Sequence, residues 1–299
     1  MQNILTLITD PRNAMLTPRL SNAVRDALAL ARGKVGPADW LDPGVACDIP
    51  FDNVAPAEAE AAARTALRGM PVDVLILKPE NRRKQALVAD MESTIIRNEM
   101  LDEMAYEAEI GEQVAEITRR AMNGELDFYE AIRERVGLLK GQPASLLDRV
   151  AEKIKLMSGA AALVDTLKQH GVYCALVSGG FDHYTVGIAA QLGFDEQQAN
   201  HLIVEDGAIA GIREPILGRE AKLEALRRVA SQKGITPADC IAVGDGANDL
   251  AMLGEAGLGI AFHAKPKVQE AAQYNIRHGD LTALLYAQGY RRDEISGRG

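Results

Sequence analysis

The sequence predicts an α/β protein: a parallel sheet flanked by helices, interrupted by a helical insert and preceded by a smaller α+β block. Three observations predict it. Short, wholly apolar runs at 86–89, 172–177, 240–243 and 258–262 are separated by helical stretches at 159–170, 182–192, 219–233 and 247–256. Apolar strands alternating with helices imply a parallel sheet covered on both faces. Residues 98–157 break the alternation, being helical with no strand candidate, and read as a cap inserted after the first strand of the sheet. Residues 1–80 keep another rhythm, strand–helix–strand–helix–strand.

Taken in order, 3–8 is a short apolar strand. Residues 16–32 carry Leu16, Leu20, Val24, Leu28 and Leu30 at helical spacing and stop at Gly33. A weaker strand lies at 44–51. The Ala-rich stretch 56–69 is a helix ended by Gly69, and 72–78 is a strand. Pro79 and the polar residues 80–85 read as a linker. The run 86–89 then ends in Asp90. At 202–212, Asp206-Gly207 between apolar runs signals a hairpin. The polar tail 291–299 is expected to fray. The domains expected are therefore 1–80, then 86–290 with its cap at about 98–157, then the tail.

Composition removes several classes of function. The 299 residues are 47 % hydrophobic and 25 % charged, enough apolar material for a core and too much for disorder. Every apolar run is broken well before about 18 residues, so no membrane span is expected. The start, MQNILTLITDPRN, lacks the basic and long apolar regions of a signal peptide. A net charge of −9 and only short basic stretches, such as Asn81-Arg82-Arg83-Lys84, argue against nucleic-acid binding. Cys47, Cys174 and Cys240 are odd in number, widely spaced and free of any C-x-x-C, which points to a reducing cytoplasm, and Cys174 and Cys240 fall in predicted core strands as packing residues.

Three strand ends carry unusual chemistry. The run 86–89 delivers Asp90 and the string Asp-Met-Glu-Ser-Thr. The run 172–177 delivers Ser178-Gly179-Gly180 ahead of a helix, where glycines allow close backbone approach and free N–H groups suit an anion. The run 240–243 delivers Gly244-Asp245-Gly246-Ala247-Asn248-Asp249. Ligands of open α/β sheets bind beyond the carboxyl ends of strands, so these tools share one edge. Lys222, from the helix at 219–233, can join them. Separated carboxylates suit a hard cation such as Mg²⁺ with substrate phosphate as co-ligand, and lysine plus backbone N–H groups suit the other phosphate oxygens. Phosphoryl transfer to an aspartate followed by hydrolysis fits this set.

The order Asp-Met-Glu-Ser-Thr, Ser-Gly-Gly, Lys222 and Gly-Asp-Gly-Ala-Asn-Asp resembles the four motifs of the haloacid dehalogenase (HAD) superfamily of phosphatases, and within it the phosphoserine phosphatases. The likeness spans about residues 86–290. The strings Val177-Ser-Gly-Gly-Phe-Asp182, Glu214-Pro-Ile-Leu-Gly218 and Val243-Gly-Asp-Gly-Ala-Asn-Asp249 are its most specific part. It implies a HAD-like Rossmannoid core with a helical cap, Mg²⁺ as cofactor and O-phospho-L-serine as substrate, hydrolysed in the last step of serine biosynthesis. Residues 1–80 resemble the small ACT-like domains that precede some bacterial members. A homodimer is compatible with the resemblance.

Carried over by position, Asp90 is the nucleophile. Glu92 stands where the family has an aspartate general acid and base. Asp90, the Glu92 backbone carbonyl and Asp245 hold the metal. Asp249 orients the metal-bound water or Lys222. Ser178, Lys222 and Asn248 hold phosphate, beside Gly179 and Gly180. In the cap, Glu99 matches the residue that holds the substrate ammonium and Arg135 the one that clamps its carboxylate, which arginine does bidentately. Met122 and Phe128 match apolar residues that close over the substrate. Arg133 lies about 200° from Arg135 on a helix, so one of the two faces the site. Two other functions remain open at this stage: a phosphatase for another small phosphomonoester, and an amino-acid-sensing regulatory protein of weak activity.

Overall fold

The computed structural model describes residues 1–122 and 125–297, with only the backbone at Met122. The N-terminal block comprises β1 (Asn3–Ile8), α1 (Pro18–Leu30), β2 (Lys34–Val35), β3 (Asp39–Asp42), β4 (Ala46–Asp52), α2 (Pro56–Leu67) and β5 (Asp73–Leu77). Its antiparallel sheet runs β2-β4-β1-β5, with β3 also paired to β4. With β3 set aside as an addition, that is the β-α-β-β-α-β order of the ferredoxin-like motif. Thr17 starts α1 by accepting the Leu20 N–H, and Pro18 supplies a pre-set φ at its first turn. Val24 and Leu28 of α1, with Ala59, Ala63 and Leu67 of α2, pack on Leu5, Leu7, Ile49 and Phe51. β2 and β3 escaped the sequence reading because two and four residues are too few to show a period.

The second block begins with β6 (Ala86–Ala89). The cap follows as α3 (Met100–Glu107), α4 (Gly111–Met122), α5 (Phe128–Leu138) and α6 (Ser145–Ala151). The core resumes with α7 (Ala160–Gln169), β7 (Tyr173–Phe181), α8 (Asp182–Leu192), β8 (Glu196–Asn200), the hairpin β9 (Leu202–Glu205) and β10 (Ala208–Ile212), and α9 (Arg219–Lys233). It closes with β11 (Cys240–Gly244), α10 (Leu250–Glu255), β12 (Leu258–Phe262), α11 (Pro266–Ala271), β13 (Tyr274–Ile276) and α12 (Ala283–Ala287). Six parallel strands run β13-β12-β11-β6-β7-β8.

Alternation along the strands sorts this core into two layers. Leu87, Cys174, Leu176, Ile241 and Val243 face the helices that include α7, α8 and α12. Ala86, Val88, Ala175, Val177, Cys240 and Ala242 face α9, α10 and α11. Ala89 pairs with both Val243 and Leu176, so β6 and β11 end on one line of the sheet, while β7, expected to stop at 177, continues through Ser178-Gly179-Gly180 to Phe181 with a register shift after Val177. The Asp90 N–H, bonded to the Val243 carbonyl at 3.0 Å, extends the ladder by one residue.

Two expectations are corrected. The stretch 80–85 is no free linker. Arg82 donates to Asp48 and Thr6 of the N-terminal sheet and to the Tyr286 and Ala287 carbonyls at the end of α12. Buried Lys84 donates to the Asn81 and Ala238 carbonyls. Nor does the described part of the tail fray. Ile295 is buried, Glu294 pairs with Arg83, Arg291 pairs with Asp39, and the Ser296 N–H donates to Thr166. The last two residues lie outside the described part. In both stretches a polar composition hid partners that only the fold supplies.

Candidate active site

Each tool at the strand edge is delivered by a specific local device. Asp90 follows the four buried residues of β6 and is itself buried. Its Oδ1 accepts the Met91 N–H at 2.8 Å and the Lys222 ammonium at 2.7 Å, while Oδ2 accepts no hydrogen bond from the described residues. Lys222 sits one turn into α9, and helical side chains lean toward the N-terminus, so its ammonium is carried back over the edge. There it also meets Asp249 Oδ1 at 2.6 Å. Asp249 is wholly buried, and its Oδ2 accepts the Gly246 N–H at 2.9 Å, tightening the loop after β11. Gly244 has no alternative here: a Cβ would lie 2.3 Å from Asp249 Cγ.

Ligand oxygens of Asp90, Asp245 and Asp249 lie within 4.8 Å of one another, with one lysine among them. Three carboxylates against one ammonium leave an excess of negative charge. Burial pushes Asp90 well above the ordinary aspartate range, Lys222 opposing and Asp249 adding to the shift. Burial, then Asp249 and Glu99, push Asp245 up to about 6. Burial works against the charge of Lys222, but Asp90 and Asp249 outweigh it and hold its pKa above the usual lysine value. A hard divalent cation relieves this crowding and finds the oxygen donors it prefers.

Glu92 projects across the same edge. Its Oε1 accepts the Met100 N–H at 2.8 Å, and Ser178 Oγ approaches its Oε2 at 3.5 Å. Burial and the nearby Glu99 carboxylate push it up to about 7. Ser178 accepts the Gly180 N–H at 2.9 Å, and a Cβ on Gly180 would lie 2.7 Å from Glu92 Oε2.

These groups wall a cavity of about 320 Å³ between the edge and the cap. Asp90, Glu92, Gly179, Gly180, Asp245 and Asn248 line its floor, and Glu99, Phe128 and Arg135 reach it from the cap. Ser178 and Lys222 are buried beside it, outside its lining. The expected contribution of Met122 falls on a side chain outside the described part. A capping box between Asp127 and Glu130 opens α5 and sets Phe128 over Gly179, 3.7 Å from where a Cβ would stand. Arg135 is half-buried. Desolvation lowers its pKa, against the pull of Asp102, Glu92 and Glu99. Arg133 points elsewhere and pairs with Glu214 at 2.8 Å.

Sequence reasoning missed Lys265, Asp102 and Thr118 in this lining. Lys265 follows β12, so the strand-end rule used for the other three strands also reaches it. Asp102 and Thr118 carried no such signal, because helix faces in the cap are set by tertiary packing. It also missed buried Asn200, which donates to the Gly179 carbonyl and accepts the Leu217 N–H.

A parallel sheet with an acidic carboxyl edge, a lysine and an inserted cap defines a haloacid dehalogenase-like hydrolase, and that family model matches residues 87–254. A phosphoserine phosphatase of Haemophilus influenzae is 45 % identical over 217 residues, 72 % of this chain and 69 % of the relative. The chain belongs to the phosphoserine phosphatase family. It spans 60 % and 53 % of the length of the relatives from Archaeoglobus fulgidus and Mycobacterium tuberculosis. An unliganded probable phosphoserine phosphatase from Vibrio cholerae superposes with a TM-score of 0.80 at 31 % identity, over 98 % of this chain and 88 % of that one. A phosphoserine phosphatase solved as a phospho-aspartyl intermediate analogue gives 0.64 at 41 % identity, over 68 % of this chain and 98 % of the other. Among the described residues no helix is long and apolar enough to cross a membrane.

Proposed function

We propose that the protein hydrolyses O-phospho-L-serine to serine and phosphate through a phosphoryl-Asp90 intermediate. The observation that carries this reading is the cavity itself. Its floor presents Asp90, with one oxygen unbonded among the described residues, beside Gly179, Gly180 and Asn248, with Lys222 buried behind Asp90, and its roof carries Glu99 and Arg135. Phosphate fits the floor. An ammonium and a carboxylate fit the roof.

In the first step Asp90 Oδ2 forms a bond to phosphorus and the phosphorus–serine oxygen bond breaks. The proton for the departing oxygen comes from the Glu92 carboxyl. In the second step a water oxygen bonds to phosphorus, its proton passes to Glu92, and the bond to Asp90 breaks. Lys222, Ser178, Asn248 and the N–H groups of Gly179 and Gly180 hold the phosphoryl oxygens as charge shifts between them. Mg²⁺ is the divalent ion we assign, held by Asp90, Asp245 and the Glu92 backbone carbonyl, with Asp249 fixing Lys222 beside it. When bound it offsets charge on the phosphoryl group.

Residues 1–80 we read as an ACT-like domain on their strand order, and 86–290 as the catalytic domain. Buried, unpaired Cys47, Cys174 and Cys240 suit a cytoplasmic setting. The test is phosphate release from a panel of phosphomonoesters, before and after exhaustive chelation. Phosphoserine should lead the panel, and activity should return with Mg²⁺. A phosphosugar or phosphohomoserine turned over faster, or full activity in the chelated protein, would overturn the reading.

A further inference from the structure

The loop from Asp90 to Met100 folds back on itself through two side-chain bonds. Glu92 Oε1 accepts the N–H of Met100, the first residue of α3. One residue along, Ser93 Oγ donates to Glu99 Oε1 at 2.6 Å. Glu99 occupies the capping position of α3, yet its side chain makes no capping bond. A helix start leaves N–H groups unsatisfied and carries partial positive charge. Here one of those groups is met by a carboxylate eight residues upstream, at the end of a core strand.

We propose that Glu92 is the residue that positions the cap, its Oε1 holding the start of α3, and Glu99 with it, against the strand edge. Oε2 is left for the proton. That second half rests on the acid–base reading above, whereas the capping half stands on the bonds alone. Side-chain length decides the matter. An aspartate at 92 is shorter by one carbon–carbon bond, about 1.5 Å. It could not span to Met100 at hydrogen-bond distance unless α3 moved inward. Glutamate at this position therefore joins core to cap in a way the shorter residue cannot.

Glu92→Gln and Glu92→Asp separate the two duties. Glutamine keeps an acceptor for Met100 and loses the transferable proton. Aspartate keeps the proton and loses the reach. The full chain is assayed with O-phospho-L-serine and with p-nitrophenyl phosphate, which lacks the amino-acid end. Hydrogen–deuterium exchange over residues 99–107 serves as a readout independent of activity. For Glu92→Gln, kcat with phosphoserine should fall by roughly 10²–10⁴-fold, with KM and exchange at α3 unchanged. For Glu92→Asp, KM for phosphoserine should rise more than about tenfold and that for p-nitrophenyl phosphate far less. Exchange at the start of α3 should speed up about 5–10-fold, the scale of a lost cap. A Glu92→Asp protein with wild-type KM and wild-type exchange overturns the proposal, as does equal loss of protection in both variants. If the wild type ignores phosphoserine, the substrate reading falls while the exchange comparison still decides the capping role.

Discussion

The seam between the two blocks and the catalytic edge both bury aspartates, and they treat them in opposite ways. At the seam between the N-terminal sheet and the core, every acid is matched. Asp48 receives both Arg82 nitrogens, at 2.5 and 2.9 Å, together with the Thr6 hydroxyl at 2.7 Å. Asp73 accepts the N–H groups of Arg277, His278 and Gly279. Asp42 accepts the buried Tyr286 hydroxyl at 2.6 Å. At the catalytic edge, buried Asp90 and Asp249 share one lysine with half-buried Asp245 close by, and one Asp90 oxygen is unbonded among the described residues. A buried carboxylate with a full set of donors holds structure together. One left short of donors is reactive or waits for a cation. The difference separates fold from function without reference to any motif.

The comparison can be broken in four ways. The largest effect is expected from Asp90→Asn. Turnover should vanish, because an amide forms no acyl phosphate, while the melting temperature of the metal-free protein holds or rises as crowding among carboxylates eases. A large loss of stability would mean that Asp90 is a structural acid like those of the seam. Asp48→Asn reverses the pattern. It strands the Arg82 guanidinium in a buried seam and should cost about 3–5 kcal/mol in urea denaturation, with turnover per folded molecule kept. Loss of turnover without loss of stability would refute the division.

Saturating Mg²⁺ sharpens the contrast. Binding to the native state alone stabilises by about 2.7 kcal/mol at one hundred times Kd. A thermal-shift titration should show this in the wild type and in Asp48→Asn, and a much weaker response in Asp245→Asn. An equal response in all three would place the ion elsewhere. Asp73→Asn should have the smallest effect. The amide oxygen keeps the bonds on one side, but the amide nitrogen cannot accept from the other, so one bonded side to the 277–279 backbone and the charge assistance go, about 1–3 kcal/mol. A larger loss would show that the charge itself is needed there.

Much of this was legible from residues alone. The strands 86–89, 240–243 and 258–262 announced themselves because burial on both faces demands continuous apolar runs, and the strand-end rule then placed Asp90, Ser178 and Asp245 on one edge. The hairpin at Asp206-Gly207 was legible for a similar reason: both residues adopt positive φ, 49° and 77°, which few residue pairs do readily. β8 was not legible. Four of its five residues, Glu196–Asn200, are polar because it is an edge strand, four of the five only half-buried.

What the sequence by itself determined is whatever depends on local pattern: the period of each element, the turn at 206–207, and the chemistry delivered where an apolar strand stops. What only the tertiary structure decided is pairing across distance. Arg82 and Asp48 are 34 positions apart, Asp73 and Gly279 206, and Arg82 and Tyr286 204. No local pattern ties such residues together, so 80–85 read as a linker and 291–299 as a loose end. The same holds for Glu92. Its type suggested a proton donor, but its bond to Met100 exists because the first cap helix begins where one extra methylene can reach it. Charge and length belong to the residue, and the partner that gives them meaning is supplied by the fold.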